Sequence, residues 1–327
     1  MVKLTITDNG GVSSSPPQED IAVNAKGGTE LMRDELFKRV PSELLDHFQI
    51  ICSRPTMLDT SKIKVLWCHD LPEDPYVRNL ADPEYRNQFD LFVFVSNWQA
   101  EQYKRVLGVP YEKSYVIENA ITPIDVGTKT KDKIKLIYTP TPHRGLELLV
   151  PVFKKLCEHF DNLELNVFSS FKLYGWDHRD EPYRAVIDDC KNHPNINYHG
   201  TVSNEEVRKA LAESHIFAYP SIWPETSCLC LIEAMSAKCI SVHPNYAALS
   251  DTAGGLTMMY QWSEDLQTHA NRFGSTLVTA IKYAQAEEVN PILDFTKTYA
   301  DYRFNWDRRS TTWENVLSSL AREKGRI

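Results

Sequence analysis

Residues 219–244 read YPSIWPETSCLCLIEAMSAKCISVHP and contain two carboxylates, Glu225 and Glu233, eight positions apart. Between them the sequence changes from a turn-rich pattern to a helical one. Pro220 and Pro224 disfavour helix in the residues that precede them, so the stretch begins as a turn-rich loop. The apolar residues that follow recur at helical spacing. We therefore expect Glu225 just before or at the start of a helix and Glu233 about two turns inside it.

The start of this helix is a candidate anion site. A helix that begins near Ser227 offers free N–H groups from Thr226, Ser227 and Cys228 at its positive dipole end. Eight helical residues rise about 12 Å, so Glu225 and Glu233 would contact different parts of one elongated ligand. The pattern predicts a binder of a sugar joined through phosphate to a second polyol. In the alternative, Glu225 only stabilises the helix dipole and Glu233 is a solvated helix residue.

Length and composition limit the classes of protein that this chain can be. Its 327 residues exceed the size at which one core usually keeps growing, which favours two domains. The net charge of −8 argues against non-specific nucleic-acid binding. Seven irregularly spaced cysteines indicate reduced thiols in a cytosolic protein, and Cys228 and Cys230 lack a second ligand pair for a metal. Residues 1–11 lack a signal-peptide core, and no apolar run reaches transmembrane length.

A glycine pair follows the first predicted strand. That strand is expected at residues 2–7, and a long loop leads from it to Gly27 and Gly28, just before a helical run. A strand, a glycine loop and a helix start together allow backbone to approach a phosphate. A plain turn with Thr29 as the helix N-cap fits the same residues.

Polar side chains follow an apolar strand at residues 63–68. His69 and Asp70 come directly after it, at the carboxyl end where α/β proteins place ligand-binding residues. The alternatives are a hydrogen-bonded turn histidine and a cap. Residues 91–95, Leu-Phe-Val-Phe-Val, form a continuous apolar run that is typical of a parallel strand buried on both faces. Two further strands are expected at residues 48–52 and 114–118.

The alternation of strands and helices restarts in the second half of the chain. The lysine-rich stretch 129–135 marks a domain boundary, and a strand is expected at residues 135–138. Arg144 ends the next loop, just before a helix, where it is either a phosphate ligand or a surface arginine. Further strands are expected at 163–169, 196–200, 215–219 and 239–243, with helices between them. The pattern predicts an α/β fold with doubly wound parallel sheets.

Together these residues resemble a known family, the retaining GT-B glycosyltransferases of the glycogen-synthase/sucrose-synthase-like group, numbered family four. The resemblance covers nearly the whole chain. Besides the Gly27-Gly28 loop it rests on DLFVFVSNWQAEQYKRVLGVPYEKSYVIENAI (90–121), IYTPTPHRGLELLVPVF (137–153), NINYHGTVSNEEVRKALAESHIFAYPSIWPETSCLCLIEAMS (195–236) and FNWDRRSTTWENVL (304–317). The third segment is similar to the family's E-x7-E region.

The resemblance implies two Rossmann-like domains that face each other across a cleft. Residues 1–125 would form the acceptor domain and residues 126–300 the nucleotide-sugar donor domain, with helix 301–327 crossing back to the first domain. Glu225 would hold hydroxyls of the donor sugar, and Glu233 would take the ribose hydroxyls of the nucleotide.

The remaining site residues are assigned by the same resemblance. The diphosphate would lie near Arg144, near the Gly27-Gly28 loop and near the amides of Thr226, Ser227 and Cys228. The base would lie near Gly200, Thr201 and Val202. His69 would lie near the anomeric carbon and the acceptor.

The implied reaction is transfer of a sugar from a nucleoside diphosphate sugar to an acceptor hydroxyl, with retention and without a metal or other cofactor. Glu225, His69 and Arg144 would be its catalytic residues. Where many family members carry a Gly-Arg pair, this chain has Tyr138-Thr139-Pro140, so Arg144 is the only strong cation of that loop. The alternatives are a GT-B epimerase or phosphorylase, and a non-catalytic nucleotide-sugar-binding protein.

We expect a soluble, cytoplasmic enzyme that binds a nucleotide-sugar donor and a glycan or small-molecule acceptor, with no nucleic-acid partner. Residues 1–125 contain 13 lysines and arginines and 19 aspartates and glutamates, a net charge of −6. An acidic domain is poorly suited to anionic lipid surfaces, so we expect at most peripheral membrane contact. The sequence leaves open the base (UDP, GDP, ADP or TDP), the sugar, the acceptor and the oligomeric state.

Overall fold

The computed structural model describes residues 26–55 and 57–327. The strand expected at residues 2–7 and most of the loop that leads to Gly27 lie outside these residues. The described chain forms two parallel sheets with helices packed against them, which confirms the predicted α/β class.

Within the described residues, the first sheet has four strands. They pair in chain order: β1 (Phe48–Cys52), β2 (Ile63–Cys68), β3 (Leu91–Phe94) and β4 (Ser114–Val116). All neighbours are parallel, with Val65 opposite Leu91 and Trp67 opposite Val93. The predicted bounds of β1 and β2 are confirmed. All residues of β2 except Lys64 are buried, whereas in β1 only Phe48 is buried and the others are half-buried.

Four helices belong to this part of the chain: α1 (Gly28–Arg39), α2 (Ser42–Leu45), α3 (Pro83–Arg86) and α4 (Asn97–Leu107). Gly27 is the N-cap of α1, so Thr29 lies inside the helix, and the alternative that made Thr29 the cap is wrong. Ser96 caps α4 by accepting a hydrogen bond from the amide of Gln99, and Gly108 ends it in the left-handed region.

The second sheet has six parallel strands: β5 (Ile134–Tyr138), β6 (Leu163–Val167), β7 (Ile196–Tyr198), β8 (Ile216–Ala218), β9 (Ile240–Pro244) and β10 (Met258–Tyr260). Their spatial order is β7-β6-β5-β8-β9-β10, so the winding reverses between β5 and β8. Parallel sheets of this kind bind ligands in the crevice at the carboxyl ends of the two strands beside the reversal. The loops after β5 and β8 are those that contain Arg144 and Glu225.

The second sheet is covered by seven helices: α5 (Leu146–Cys157), α6 (Arg184–Asn192), α7 (Asn204–Glu213), α8 (Leu229–Ser236), α9 (Leu249–Ala253), α10 (Leu266–Tyr283) and α11 (Asn290–Arg303). Helix α8 begins two residues later than the sequence predicts. Cys228 is its N-cap, with extended backbone at φ −93° and ψ 97°. Glu233 is therefore the fifth residue of α8, about one turn inside, and the prediction of two turns is wrong.

The last helix, α12 (Trp306–Glu323), packs against the first sheet. Its buried residues share one core with β1, β2 and β3: Trp306, Trp313, Leu317 and Ala321. The ring of Trp313 meets that of Trp67 edge-on, with centroids 4.8 Å apart. No helix within residues 26–55 and 57–327 is long and apolar enough to cross a membrane.

Candidate active site

Two loops of the second sheet meet at the reversal between β5 and β8. Arg144 ends a 3-10 turn, Pro142–Arg144, that leaves β5. The next residue, Gly145, has φ 131°, a conformation that side chains other than glycine rarely adopt. A Cβ atom there would collide with the backbone carbonyl of Pro220 in the loop after β8. Glycine thus allows the two loops to touch.

Arg144 and Glu225 are bonded to each other across this contact. Nη1 of Arg144 donates to Oε1 and Oε2 of Glu225 at 2.8 and 3.0 Å, and the hydroxyl of Tyr219 donates to Oε1. The Glu225 side chain is only 6% exposed. Burial lowers the pKa of Arg144, but the adjacent Glu225 outweighs it and raises that pKa well above its usual value. The site thus combines a permanent cation with an oriented carboxylate.

Several buried polar atoms near this pair have no hydrogen-bond partner in the part of the chain that the structure describes. They are Nε of Arg144, Nδ1 of His143 and Oγ1 of Thr141. Burial, together with Arg144 and Arg179, lowers the pKa of His143 to about 3, so its ring is neutral at physiological pH. Buried polar atoms are nearly always paired in folded proteins, so these three are available to a ligand.

His69 reaches the same place from the first sheet. Its carbonyl accepts a hydrogen bond from Oγ1 of Thr226 at 2.7 Å, and Oγ of Ser96 donates to the carbonyl of Thr226 at 2.6 Å. Burial lowers the pKa of His69 to about 3. Its Nε2 is buried and has no partner among the described residues. The backbone of His69 therefore adjoins the loop that carries Glu225, and its neutral imidazole packs against the ring of Trp67, with centroids 4.6 Å apart.

The Gly27-Gly28 loop also lies against the second domain. A Cβ on Gly27 would overlap the ring of Tyr174, and one on Gly28 would lie 2.9 Å from Cδ1 of Leu229, the first residue of α8. The first-turn N–H groups of α8, from Cys228 to Leu231, have no helical acceptors. Of the three amides predicted from the sequence, only that of Cys228 belongs to the helix start.

Glu233 forms an ion pair that the sequence does not predict. Nη1 of Arg208, on α7, donates to Oε1 of Glu233 at 2.7 Å. Nη2 of Arg208 donates to the carbonyls of Thr122 and Pro123 at 2.7 and 3.1 Å. Burial raises the pKa of Glu233, and Arg208 acts in the opposite direction. An arginine on an ordinary amphipathic helix carries no local signal that would identify such a role.

The segment Gly200-Thr201-Val202 follows β7, at one edge of the second sheet. Two strand spacings, about 10 Å, separate β7 from β5, so only an elongated ligand reaches both places. Gly200 has φ 64°, and Oγ1 of Thr201 is buried without a partner in the described chain. Val202 packs against the core of the second domain.

A group of aromatic side chains that the sequence analysis missed borders the Arg144–Glu225 pair. The ring of His143 stacks on Phe171 at 5.1 Å and meets Trp223 edge-on at 4.8 Å. Trp223 is 38% exposed, and its ring centroid lies 5.9 Å from the guanidinium carbon of Arg144. Within residues 26–55 and 57–327 no group of three or more His, Cys, Asp or Glu side chains is arranged to hold a metal ion.

Comparisons with known proteins bear on the family and the fold. Residues 125–254 match the family model described as Glycosyl transferases group 1. Comparison with the sequences of curated proteins finds no match.

Solved structures of similar fold include three glycosyltransferases. A glycosyltransferase from Rickettsia africae aligns over 92% of this chain and 84% of that chain, with a TM-score of 0.66 and 14% identity. Anabaena HepE in complex with UDP aligns over 79% of this chain and 72% of its own, with a TM-score of 0.62 and 15% identity. The pneumococcal O-GlcNAc transferase GtfA, in complex with UDP and GlcNAc, aligns over 80% of this chain and 53% of its own, with a TM-score of 0.59 and 13% identity. This chain therefore spans about half of GtfA.

Identities this low show the shared fold, and the family model covers the domain that holds both Arg144 and Glu225. The expected resemblance to family-four GT-B enzymes is confirmed. The chain has the GT-B fold, and its residues 125–254 match the model of the glycosyl transferases group 1 family.

Proposed function

We propose that the chain transfers a sugar from a nucleoside diphosphate sugar to an acceptor hydroxyl, with retention at the anomeric carbon and without a metal ion. The observation that carries this proposal is the Arg144–Glu225 pair at the reversal between β5 and β8. It joins a permanent cation to an oriented carboxylate in the crevice where sheets of this topology bind ligands.

The donor is assigned along the elongated crevice. Its sugar hydroxyls donate to Glu225, and its diphosphate lies between Nε of Arg144, the first-turn amides of α8 and the Gly27-Gly28 loop. Its ribose contacts Glu233 and its base lies near Gly200–Val202. The spacing of about 10 Å between β5 and β7 suits a ligand made of a sugar, a diphosphate and a nucleoside.

In the proposed reaction the transition state is stabilised by charged and polar groups that the folded protein already holds in position. Departure of the nucleoside diphosphate builds negative charge, which the Arg144 guanidinium and the helix amides stabilise. The neutral imidazole of His69 exchanges a hydrogen bond with a hydroxyl of the donor sugar or the acceptor. Both oxygens of Glu225 already accept from Arg144, so we assign it no covalent role and propose front-face attack assisted by the leaving phosphate.

UDP is the first nucleotide to test, because HepE and GtfA were both solved with UDP. We further propose a cytoplasmic enzyme of glycan or polysaccharide synthesis. The net charge of −6 on residues 1–125 favours a glycan or small-molecule acceptor over an anionic lipid surface.

The test is an assay of nucleoside diphosphate release from UDP-, GDP-, ADP- and TDP-sugars, with and without a panel of glycan acceptors. We expect acceptor-dependent release at the same rate with EDTA or with magnesium. NMR of the product should show the anomeric configuration of the donor.

Other outcomes overturn the proposal and identify the rival. Release that depends on inorganic phosphate indicates a phosphorylase. Interconversion of nucleotide-sugars without an acceptor indicates an epimerase. Thermal stabilisation by a nucleotide-sugar without any turnover indicates a binding protein.

A further inference from the structure

Arg208 connects three parts of the molecule. Its guanidinium bonds Oε1 of Glu233 on α8 and the carbonyls of Thr122 and Pro123, which lie in the segment between the two sheets. The Arg208 and Glu233 side chains are 27% and 22% exposed, so the pair is largely shielded from water. Three bonds of 2.7–3.1 Å to one planar group fix its position closely.

Glu233 lies on the face of α8 that meets the first domain. It stands four residues after Leu229, so the two side chains share one face of the helix. Leu229 is the residue that contacts Gly28. Arg208 bonds Oε1 of Glu233 and leaves Oε2 able to accept from a hydroxyl group.

The segment between the sheets is fastened to α8 a second time. The amide of Ile124 donates to Oγ of Ser236 at 2.9 Å, and Nζ of Lys297 donates to the carbonyl of Ile124 at 2.7 Å. Ser236 lies three residues after Glu233, on the same helix. The interdomain segment thus follows α8 over about one turn, with Arg208 at one end and Ser236 at the other.

We propose that Arg208 is a positioning residue: it orients Glu233 for the ribose hydroxyls of the nucleotide and couples filling of that site to the interdomain segment 119–127. This inference rests on the proposed function, since it requires a nucleotide at Glu233. A ribose that donates to Oε2 holds Glu233 in place, and Arg208 passes that restraint to Thr122 and Pro123.

The electrostatics of Glu233 provide a separate readout. Burial raises its pKa, and the opposing charge on that carboxylate is Arg208 from α7. Cys230, on α8, is the other titratable group that interacts with it. Without Arg208, burial acts alone and the pKa of Glu233 rises further. Glu233 then takes up a proton at higher pH and loses its strength as an acceptor.

The experiment compares Arg208→Gln and Arg208→Lys with Lys209→Gln, which removes the same charge from an exposed neighbour on α7. Binding of UDP, GDP, ADP, TDP and inorganic pyrophosphate is measured by calorimetry between pH 6 and pH 8. Hydrogen exchange of residues 119–127 is followed with and without nucleotide. Circular dichroism checks that each variant is folded.

We expect Arg208→Gln to weaken binding of the nucleotide roughly tenfold at pH 7, the loss of about one charged hydrogen bond, and more at pH 6. Pyrophosphate, which lacks the ribose, should bind equally well to every variant. Nucleotide should protect residues 119–127 in the wild type but not in Arg208→Gln. Arg208→Lys should restore affinity without restoring protection, because an ammonium cannot span Glu233 and both carbonyls.

Two results would overturn the inference in distinguishable ways. If the wild type binds nucleotide and Arg208→Gln binds it equally well with the same pH profile, Arg208 has no positioning role. The same holds if Arg208→Gln weakens pyrophosphate and nucleotide alike. If the wild type binds none of UDP, GDP, ADP and TDP, the proposed function fails, and this inference fails with it.

Discussion

Both oxygens of Glu225 accept hydrogen bonds from Arg144, and Oε1 also accepts from the buried phenol of Tyr219. Burial and the neighbouring Glu225 raise the pKa of Tyr219, so the phenol remains a donor. These bonds fix the orientation of the Glu225 carboxylate, which therefore offers a ligand a negative charge in a defined position. Alanine at Glu225 or Arg144 is a poor test of function, because an unpaired partner left in a buried pair costs about 3–5 kcal/mol of stability.

Glu225→Gln is the sharper change, because it keeps the shape and an accepting oxygen while removing the charge. We expect kcat/KM for the donor to fall at least about 100-fold, the range seen when one oriented group at a transition state is lost. The melting temperature should also fall, because the buried Arg144 loses its counter-charge, so the kinetics are measured at a temperature where the variant is folded. Steady-state kinetics and a thermal melt on the same preparation give both quantities.

Glu164→Gln is the matched control for this substitution. Glu164 also forms an ion pair, with Lys133 at 3.0 Å, and it lies in the same sheet. Both residues lie near the amino ends of β5 and β6, away from the crevice. The transferase activity of Glu164→Gln should equal that of the wild type. Equal losses in both variants would show that the effect of Glu225→Gln is general destabilisation.

The sequence pattern singles out residues that follow strands, and Glu233 through its spacing from Glu225, but it does not single out Arg208. His69, Arg144 and Glu225 each lie just beyond a strand end, and the structure brings them to one crevice. Arg208 lies in a helix whose charges look like any solvated face. Its partners, Glu233 and the carbonyl of Thr122, are 25 and 86 residues away, so only the folded chain reveals the contact.

At the scale of elements, the N-terminus of α1 approaches the second domain closely enough to require glycine. Gly27 has φ −69°, so alanine fits its backbone without strain. The main obstacle is the ring of Tyr174, which a Cβ would overlap; Oε2 of Glu30, at the end of a flexible side chain, would lie 2.7 Å away. Substitution at this position therefore acts on the contact between the domains and leaves each domain able to fold.

We expect Gly27→Ala to separate the two domains at the Tyr174 contact. The radius of gyration measured by X-ray scattering should increase, and KM for the donor should rise roughly tenfold because one wall of the phosphate site is displaced. The melting temperature should change little. Adding Tyr174→Ala to the same chain should restore the compact form.

Gly127→Ala provides the comparison, because no atom lies within 4 Å of the Cβ it would add. It should leave both scattering and KM unchanged. A Gly27→Ala protein with the dimensions and KM of the wild type would show that this contact does not control the cleft.

Helix and strand ends were predictable only where the residue chemistry is local. Ser96 and Gly108 mark the ends of α4 because a capping hydroxyl and a left-handed glycine act within one turn. The sequence pattern predicts neither strand β10 nor helix α9, whereas it does predict strands at 114–118, 196–200 and 215–219, which contain the equally short β4, β7 and β8. The start of α8 was misplaced because Ser227 and Cys228 continue the helical pattern in an extended segment.

At the scale of the whole molecule, stability should depend on buried neutral histidines. His243 is fully buried between Oγ1 of Thr257 at 2.7 Å and the carbonyl of Pro244 at 2.9 Å. Burial lowers its pKa to about 4. Burial lowers the pKa of His69 and His143 in the same direction.

The sign of the pH effect follows from proton uptake by the unfolded chain. An unfolded histidine takes up a proton below about pH 6.5, whereas folded His243 does so only near pH 4. The free energy of unfolding should therefore fall as the pH falls through this window, by about 3 kcal/mol for this one residue. Urea titrations at pH 7, 6, 5 and 4.5 measure it.

His243→Gln should make the free energy of unfolding less dependent on pH across the same window, even where the variant is less stable at pH 7. His178→Gln, at an exposed position, should keep the pH dependence of the wild type. An unchanged slope in His243→Gln would contradict the assignment.

The arrangement of the two sheets followed from the restart of the strand–helix alternation after residue 129. The contact between the two sheets' domains did not follow from that pattern, because the hydrogen bonds between the domains join residues that are far apart in sequence. Ser96 and Thr226 are 130 residues apart, and His69 and Thr226 are 157 apart. Neither the amino-acid composition nor the spacing of apolar residues indicates a single hydrogen bond between two such distant residues.

Helix α12 also bears on how the protein is made. The core of the first sheet includes Trp306, Trp313, Leu317 and Ala321, which leave the ribosome after the strands they cover. A domain usually folds once its own residues have emerged. Here residues 134–260 can complete their sheet during synthesis, while β1–β4 wait, partly uncovered, for residues 306–321. The nascent first domain is therefore exposed to aggregation until residues 306–321 have been synthesised.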